Sequence, residues 1–113
     1  MLTLKDIQNV FEALFGLGLN VRLGYAGSYA RGKAKANSDL DIVVEGKRAL
    51  SSDEYLAIYS KLKHLLKIKF DIVDLIALKE EDIEMDNMLL DMGLEVNESS
   101  AYKTMKKEAI WMN

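Results

Sequence analysis

"GSYARGKAKANSDLDIVV", residues 27–44, decides how the rest of the chain is read. Its first part has the outline of a phosphate-binding P-loop, with a glycine, four residues, a second glycine and a lysine. Ala34 stands where that loop needs a serine or threonine to hold magnesium. A P-loop also opens directly into a helix whose N–H groups point at phosphates. Here the polar "KAKANSDLD" runs on into an alternating, strand-like "DLDIVV", so the P-loop reading fails on residue type and on context.

The same stretch supports a different site. Asp39 and Asp41 are two apart, which on a strand puts both carboxylates on one face with Cα atoms roughly 6.5–7 Å apart. Side chains at that spacing can converge on magnesium ions about 3.5–4 Å apart, the arrangement used in two-metal phosphoryl and nucleotidyl transfer. Like charges side by side destabilise a sheet unless cations neutralise them, so the pair calls for a metal or a solvated edge. Gly27 permits close backbone approach to a ligand. Ser28, at the start of a short helical turn, can offer an N–H and a hydroxyl to a phosphate, and Arg31 a forked cation.

Working outward, Thr3 caps a helix in which Ile7, Val10, Phe11, Leu14 and Phe15 recur at helical spacing, with Gly16 or Gly18 as its stop. "VRLGYAG" (21–27) reads as a first strand and 39–45 as a second, with Leu40, Ile42 and Val44 on one face and Asp39, Asp41, Val43 and Glu45 on the other. Ser51 and Glu54 form a capping box before a helix whose stripe runs Tyr55, Leu56, Ile58, Tyr59, Leu62, Leu65 and Leu66. "IKFDIVDLIAL" (68–78) is the most apolar strand and is expected in the middle of the sheet. Residues 80–92 form a helix with Ile83, Met88, Leu89 and Met92 inward, "LEV" (94–96) a brief strand, and 99–112 a last helix ending near Trp111. The order α, β, β, α, β, α, α describes an α/β (α+β) fold, a small mixed sheet flanked by helices.

The 113 residues, half of them hydrophobic, suffice for one core, so residues 1–113 are expected to form a single domain. Fifteen Lys and Arg against 18 Asp and Glu leave a net charge of −3, which does not favour a direct nucleic acid partner. The absence of cysteine excludes disulfides and thiolate zinc sites. Neither a leader nor a membrane-spanning apolar run is visible, so a cytoplasmic chain without a membrane partner is expected. His64 and its neighbouring lysines in "KLKHLLKIK" read as a solvated helix face that could meet an acidic partner. The tyrosines, Trp111 and the methionines read as core or interface residues.

Gly27 and Ser28, followed about ten residues later by Asp39-x-Asp41, resemble the signature of the DNA polymerase beta-like nucleotidyltransferases, with "ARG" (30–32) and Ser38 of "SDLD" similar to family members. The resemblance implies the polymerase beta-like fold, ATP as nucleotide donor, two Mg2+ ions on Asp39 and Asp41, and a third catalytic carboxylate from a later strand. In "KFDIVDL" Asp71 is the choice for that third position. Asp74, alternating with Ile68, Phe70, Ile72 and Ile76, is the competitor. The chain most resembles the minimal nucleotidyltransferases, antitoxins that partner HEPN-domain toxins in a hetero-oligomer. Members of that group are implied to transfer AMP from ATP to a tyrosine of the toxin. Modification of a small molecule or another protein, and toxin binding without catalysis, are the alternatives.

Overall fold

Two helices begin by the same device. Thr3 and Ser51 each accept a hydrogen bond from the backbone N–H three residues on, while Asp6 and Glu54 reach back to the N–H of the cap. The helices are α1 (Leu4–Phe15), which ends at Gly16, and α3 (Ser52–Leu65). The computed structural model describes all of residues 1–113. Between and after these helices come β1 (Arg22–Ala26), the four-residue α2 (Gly27–Ala30), β2 (Leu40–Glu45), β3 (Phe70–Asp74), α4 (Leu75–Asp91), α5 (Ala101–Glu108) and β4 (Ile110–Trp111).

The strands form one sheet in the order β3-β2-β1-β4. The β1–β2 and β1–β4 pairs are antiparallel, and β2–β3 is parallel, joined through α3. The alternation read in β2 sorts its side chains as expected. Leu40, Ile42 and Val44 pack with Leu23 and Tyr25 of β1 against Ile7, Val10, Phe11 and Leu14 of α1 and Ile58 and Leu62 of α3. Val43 turns to the opposite face with Ala26 and Leu75, where Tyr102, Met105 and Trp111 pack from α5 and β4. Each fully buried side chain in such a layer contributes about 1.5–3 kcal/mol of burial free energy, so the sheet is held from both faces.

Several expectations need correction. The third strand spans 70–74, not 68–78, and lies at the edge of the sheet instead of its middle. The cause is Asp74. Its carboxylate accepts from Ile76 N–H (3.0 Å) and Ala77 N–H (3.3 Å), capping α4, so "LIAL" becomes the first turn of a helix that buries Leu75. α4 then runs 17 residues, and beyond the buried Asp82 it leaves Ile83 and Met88, with Met92 just past its end, about half exposed or more. Asp82 is drawn in by Lys103 of α5, which also pairs with Asp86 at 3.2 Å. Tyr55 and Tyr59 of the expected α3 stripe are 41% exposed, with Leu56 and Leu65 more so.

"LEV" forms no strand, and the last helix stops at Glu108, because residues 110–111 pair with β1. Gly24 makes that pairing possible: a Cβ there would lie 2.5 Å from the Ile110 carbonyl oxygen. Trp111 is then clasped by the Arg22 guanidinium, 4.0 Å from the ring centre. Arg22 and Lys106 both pair with Glu45. No helix is long and apolar enough to cross a membrane.

Asp74 also accepts from Leu50 N–H at 2.6 Å, tying the start of α3 to the start of α4. Asp74→Ala should therefore lower the unfolding free energy by about 1–3 kcal/mol in urea denaturation, and Asp74→Asn, which keeps an acceptor oxygen, should recover most of the loss.

Candidate active site

Backbone pairing sets the site. Ala26 at the end of β1 is opposite Asp41 of β2, and Asp41 is opposite Asp71 of β3. Neighbouring strands are about 4.7–4.9 Å apart, so Asp41 and Asp71 stand side by side on one row, and Asp39 lies just before β2 at the same end of the sheet. Asp39 and Asp71 are exposed and Asp41 is half-buried. Asp74, the competitor for the third carboxylate, is spent on α4 and Leu50.

Gly27 follows β1 with φ +73°, a conformation that disfavours any side chain. A Cβ at this position would lie 2.2 Å from Asp41 Oδ2. The backbone of the Gly-Ser turn thus rests directly against the central carboxylate, and Ser28 is the second residue of the single helical turn expected there. Burial raises the Asp41 pKa above the usual carboxylate value, and the charges of Asp71, Asp39 and Glu108 raise it further against a partial offset from Arg31.

That crowding is what a divalent cation would relieve. No three of these side chains close on a point tightly enough to hold an ion by themselves. The donor set is nonetheless all carboxylate oxygen, which suits magnesium, an ion that keeps waters and shares substrate phosphates instead of requiring a complete protein cage. The residues present fit the ion the sequence implied.

The remaining residues named from sequence divide. Arg31 is close to the turn but is paired: its Nη1 donates to both oxygens of Glu108, at 3.1 and 3.2 Å. Ser38 turns into its own loop, its Oγ accepting from Lys35 N–H at 2.8 Å. Glu108 is the residue that sequence reading missed. Its carboxylate accepts from Gly27 N–H at 2.9 Å as well as from Arg31, so the last residue of α5 fixes the turn that carries the site. Reading 99–112 as one helix hid it. The clue was a glutamate just ahead of the strand-like "AIW".

Comparison with known proteins gives the family. The sequence profile of the family described as Polymerase beta, Nucleotidyltransferase matches residues 21–100. A protein adenylyltransferase, MntA, of Thermococcus cleftensis is 34% identical over an alignment of 80 residues that covers 65% of this chain and 78% of its own. Among solved structures, a toxin-antitoxin with AMP-PNP superposes with a TM-score of 0.61 at 18% identity, over 92% of this chain and 69% of its own. A mutant of the MntA-HpeT toxin-antitoxin superposes with a TM-score of 0.62 at 17% identity, over the whole of this chain and 73% of its own. The chain belongs to the polymerase beta family of nucleotidyltransferases. It is a nucleotidyltransferase, and the match to MntA bears out the resemblance to the minimal members of that family.

Two outcomes follow from the crowding at Asp41. Gly27→Ala should cost about 1–2 kcal/mol of stability in chemical denaturation, from the left-handed backbone alone, and more if Asp41 cannot yield. The folded chain binds the Asp41 proton more tightly than the unfolded chain, so ionisation of Asp41 costs stability as pH rises through its folded pKa. Below the unfolded value, near 3.8, both states hold the proton and the cost is absent. In metal-free buffer Asp41→Asn should therefore raise the melting temperature at neutral pH, and the gain should shrink as the solution is acidified toward that value.

Proposed function

We propose that this chain, acting as one domain over residues 1–113, transfers AMP from ATP to a tyrosine hydroxyl of a HEPN-domain toxin and so serves as the antitoxin of a toxin–antitoxin pair. The observation that carries the proposal is the pair Asp41 and Asp71 with Asp39 beside it and Gly27 against Asp41: a glycine turn suited to phosphate, in contact with a carboxylate set suited to magnesium. The kinship with the protein adenylyltransferase MntA supports the acceptor being a protein. A structural neighbour is a toxin-antitoxin holding AMP-PNP, which supports the donor and the partner.

In this reading the triphosphate lies along Gly27 and Ser28. The Gly27 N–H is already engaged by Glu108, so Ser28 supplies the N–H and hydroxyl that hold phosphate oxygens, and Arg31 balances the charge of Glu108. Asp39, Asp41 and Asp71 would hold magnesium, which when bound neutralises the phosphates and lowers the cost of charge at the reacting oxygens. The acceptor hydroxyl oxygen bonds to the α-phosphorus as the bond from that phosphorus to the oxygen bridging to the β-phosphate breaks. Pyrophosphate leaves in line with the attacking oxygen, and the hydroxyl proton passes to the carboxylate of Asp71.

The test is incubation with labelled ATP and magnesium, with and without a co-purified toxin, followed by intact-mass measurement of both chains. The toxin should gain one or more AMP units. Asp41→Ala or Asp71→Ala should slow the gain by about a thousandfold or more while the chain still unfolds cooperatively, since such carboxylates act through positioning and charge, not packing. A toxin held tightly by the wild-type chain yet never gaining mass would refute transfer.

A further inference from the structure

The lysine-rich stretch at the end of α3 does not stay a plain solvated face once folded. Lys63, Lys67 and Lys69 converge with Tyr59 and Phe70 on a cavity of about 310 Å3 whose floor includes Asp39 and Asp71. We propose that this cavity receives the acceptor, and that it selects a tyrosine set in an acidic segment of the partner protein. The inference rests on the role given above to Asp39 and Asp71 and adds to it the chemistry of what they act upon.

The placement follows from the sheet order. The Gly-Ser turn and Glu108 lie on the β1 side of Asp41, so the donor is held there. The cavity lies on the other side, along β3, which as an edge strand has no further strand beyond it. An acceptor arriving from this side meets Asp71 first and faces the donor across Asp41. The two substrates thereby approach from opposite directions, as an in-line displacement requires.

The lining argues for the class of acceptor. The ion pairs of the chain join Arg22, Arg31, Arg48, Lys103 and Lys106 to carboxylates, and none involves Lys63, Lys67 or Lys69. With Asp39 and Asp71 committed to magnesium, three ammonium groups around the cavity are left without a partner, in a chain whose net charge is −3. Acidic side chains flanking the acceptor would complement them and guide its entry. The apolar part of the wall is aromatic: the rings of Tyr59 and Phe70 are 5.5 Å apart and tilted by 55°, with Tyr59 41% exposed. Such a wall offers edge and face contacts to a phenol ring. A nucleic acid end would also bring negative charge and a hydroxyl, but a chain of net charge −3 does not favour a grip on a polyanionic backbone beyond these three lysines.

Fluorescence anisotropy with the full chain, magnesium and α,β-methylene-ATP, whose α–β bridge is carbon and is not cleaved, tests this. The probes are a short peptide with tyrosine flanked by glutamates, one flanked by lysines, and an oligoadenylate with a free 3′ hydroxyl. The glutamate-flanked peptide should bind at least about tenfold more tightly than the lysine-flanked one. The triple variant Lys63→Glu, Lys67→Glu, Lys69→Glu should invert that preference. The neutral triple variant with glutamine should erase it, and the affinity for α,β-methylene-ATP should stay unchanged in both. Equal binding of the two peptides, a preference untouched by the substitutions, or tighter binding of the oligoadenylate would each overturn the proposal while the nucleotide still binds. Failure of α,β-methylene-ATP to bind the wild-type chain would remove the transferase reading and this inference together.

Discussion

Like charges are held together here by backbone pairing. Asp41 and Asp71 are register partners in a parallel pair of strands, and every hydrogen bond of that ladder resists the repulsion between them. The core beneath keeps the ladder in place: Leu40 and Ile42 point away from the carboxylates into the layer formed by α1 and α3, so a shift of one residue would carry apolar groups into water and aspartates into the core. The fold thus stores electrostatic cost at one end of its sheet, a cost that a bound cation would offset; burial first, and then the charges of Asp71, Asp39 and Glu108, raise the pKa of Asp41.

The opposite face supplies the second restraint. α5 and β4 close over β1, and the geometry is set by small groups. Gly24 lets the Ile110 carbonyl approach, and the Asn113 side chain continues the pairing, its Oδ1 accepting from Leu23 N–H at 2.8 Å and its Nδ2 donating to the Val21 carbonyl at 3.2 Å. With β4 fixed, Glu108 arrives at Gly27 and Arg31, and the turn that carries the site acquires a rigid support. The cluster of Trp111, Arg22, Lys106 and Glu45 locks the far end of the same strand pair.

Much of this was legible in the sequence because it depends on local rules. The capping residues Thr3 and Ser51, the alternation in residues 40–45 and the single turn at Gly27 all follow from period and from short-range hydrogen bonding. What escaped depends on distant partners. The switch from strand to helix at Asp74 looked like one long apolar strand, since "DIVDLIAL" satisfies both periods; Asp74 caps α4 through Ile76 and Ala77, and its other oxygen is held by Leu50 from a distant segment. The exposure of Ile83, Met88 and Met92 and the burial of Asp82 depend on where α5 lies, which no periodicity in α4 reveals. Within the site, Arg31 read as a free cation until Glu108 came beside it, from the far side of the chain.

The bond from Gly27 to Glu108 spans 81 residues, and that separation has a consequence in time. A ribosome adds about 5–20 residues each second, so the Gly-Ser turn and Asp41 emerge seconds before the glutamate that steadies them. Over that interval β1 and β2 can pair as a hairpin, but the turn has no anchor, and closing so large a loop is slow compared with local folding. The nascent chain therefore carries its aspartates before it carries the glutamate that steadies their turn, which arrives only with the last residue of α5.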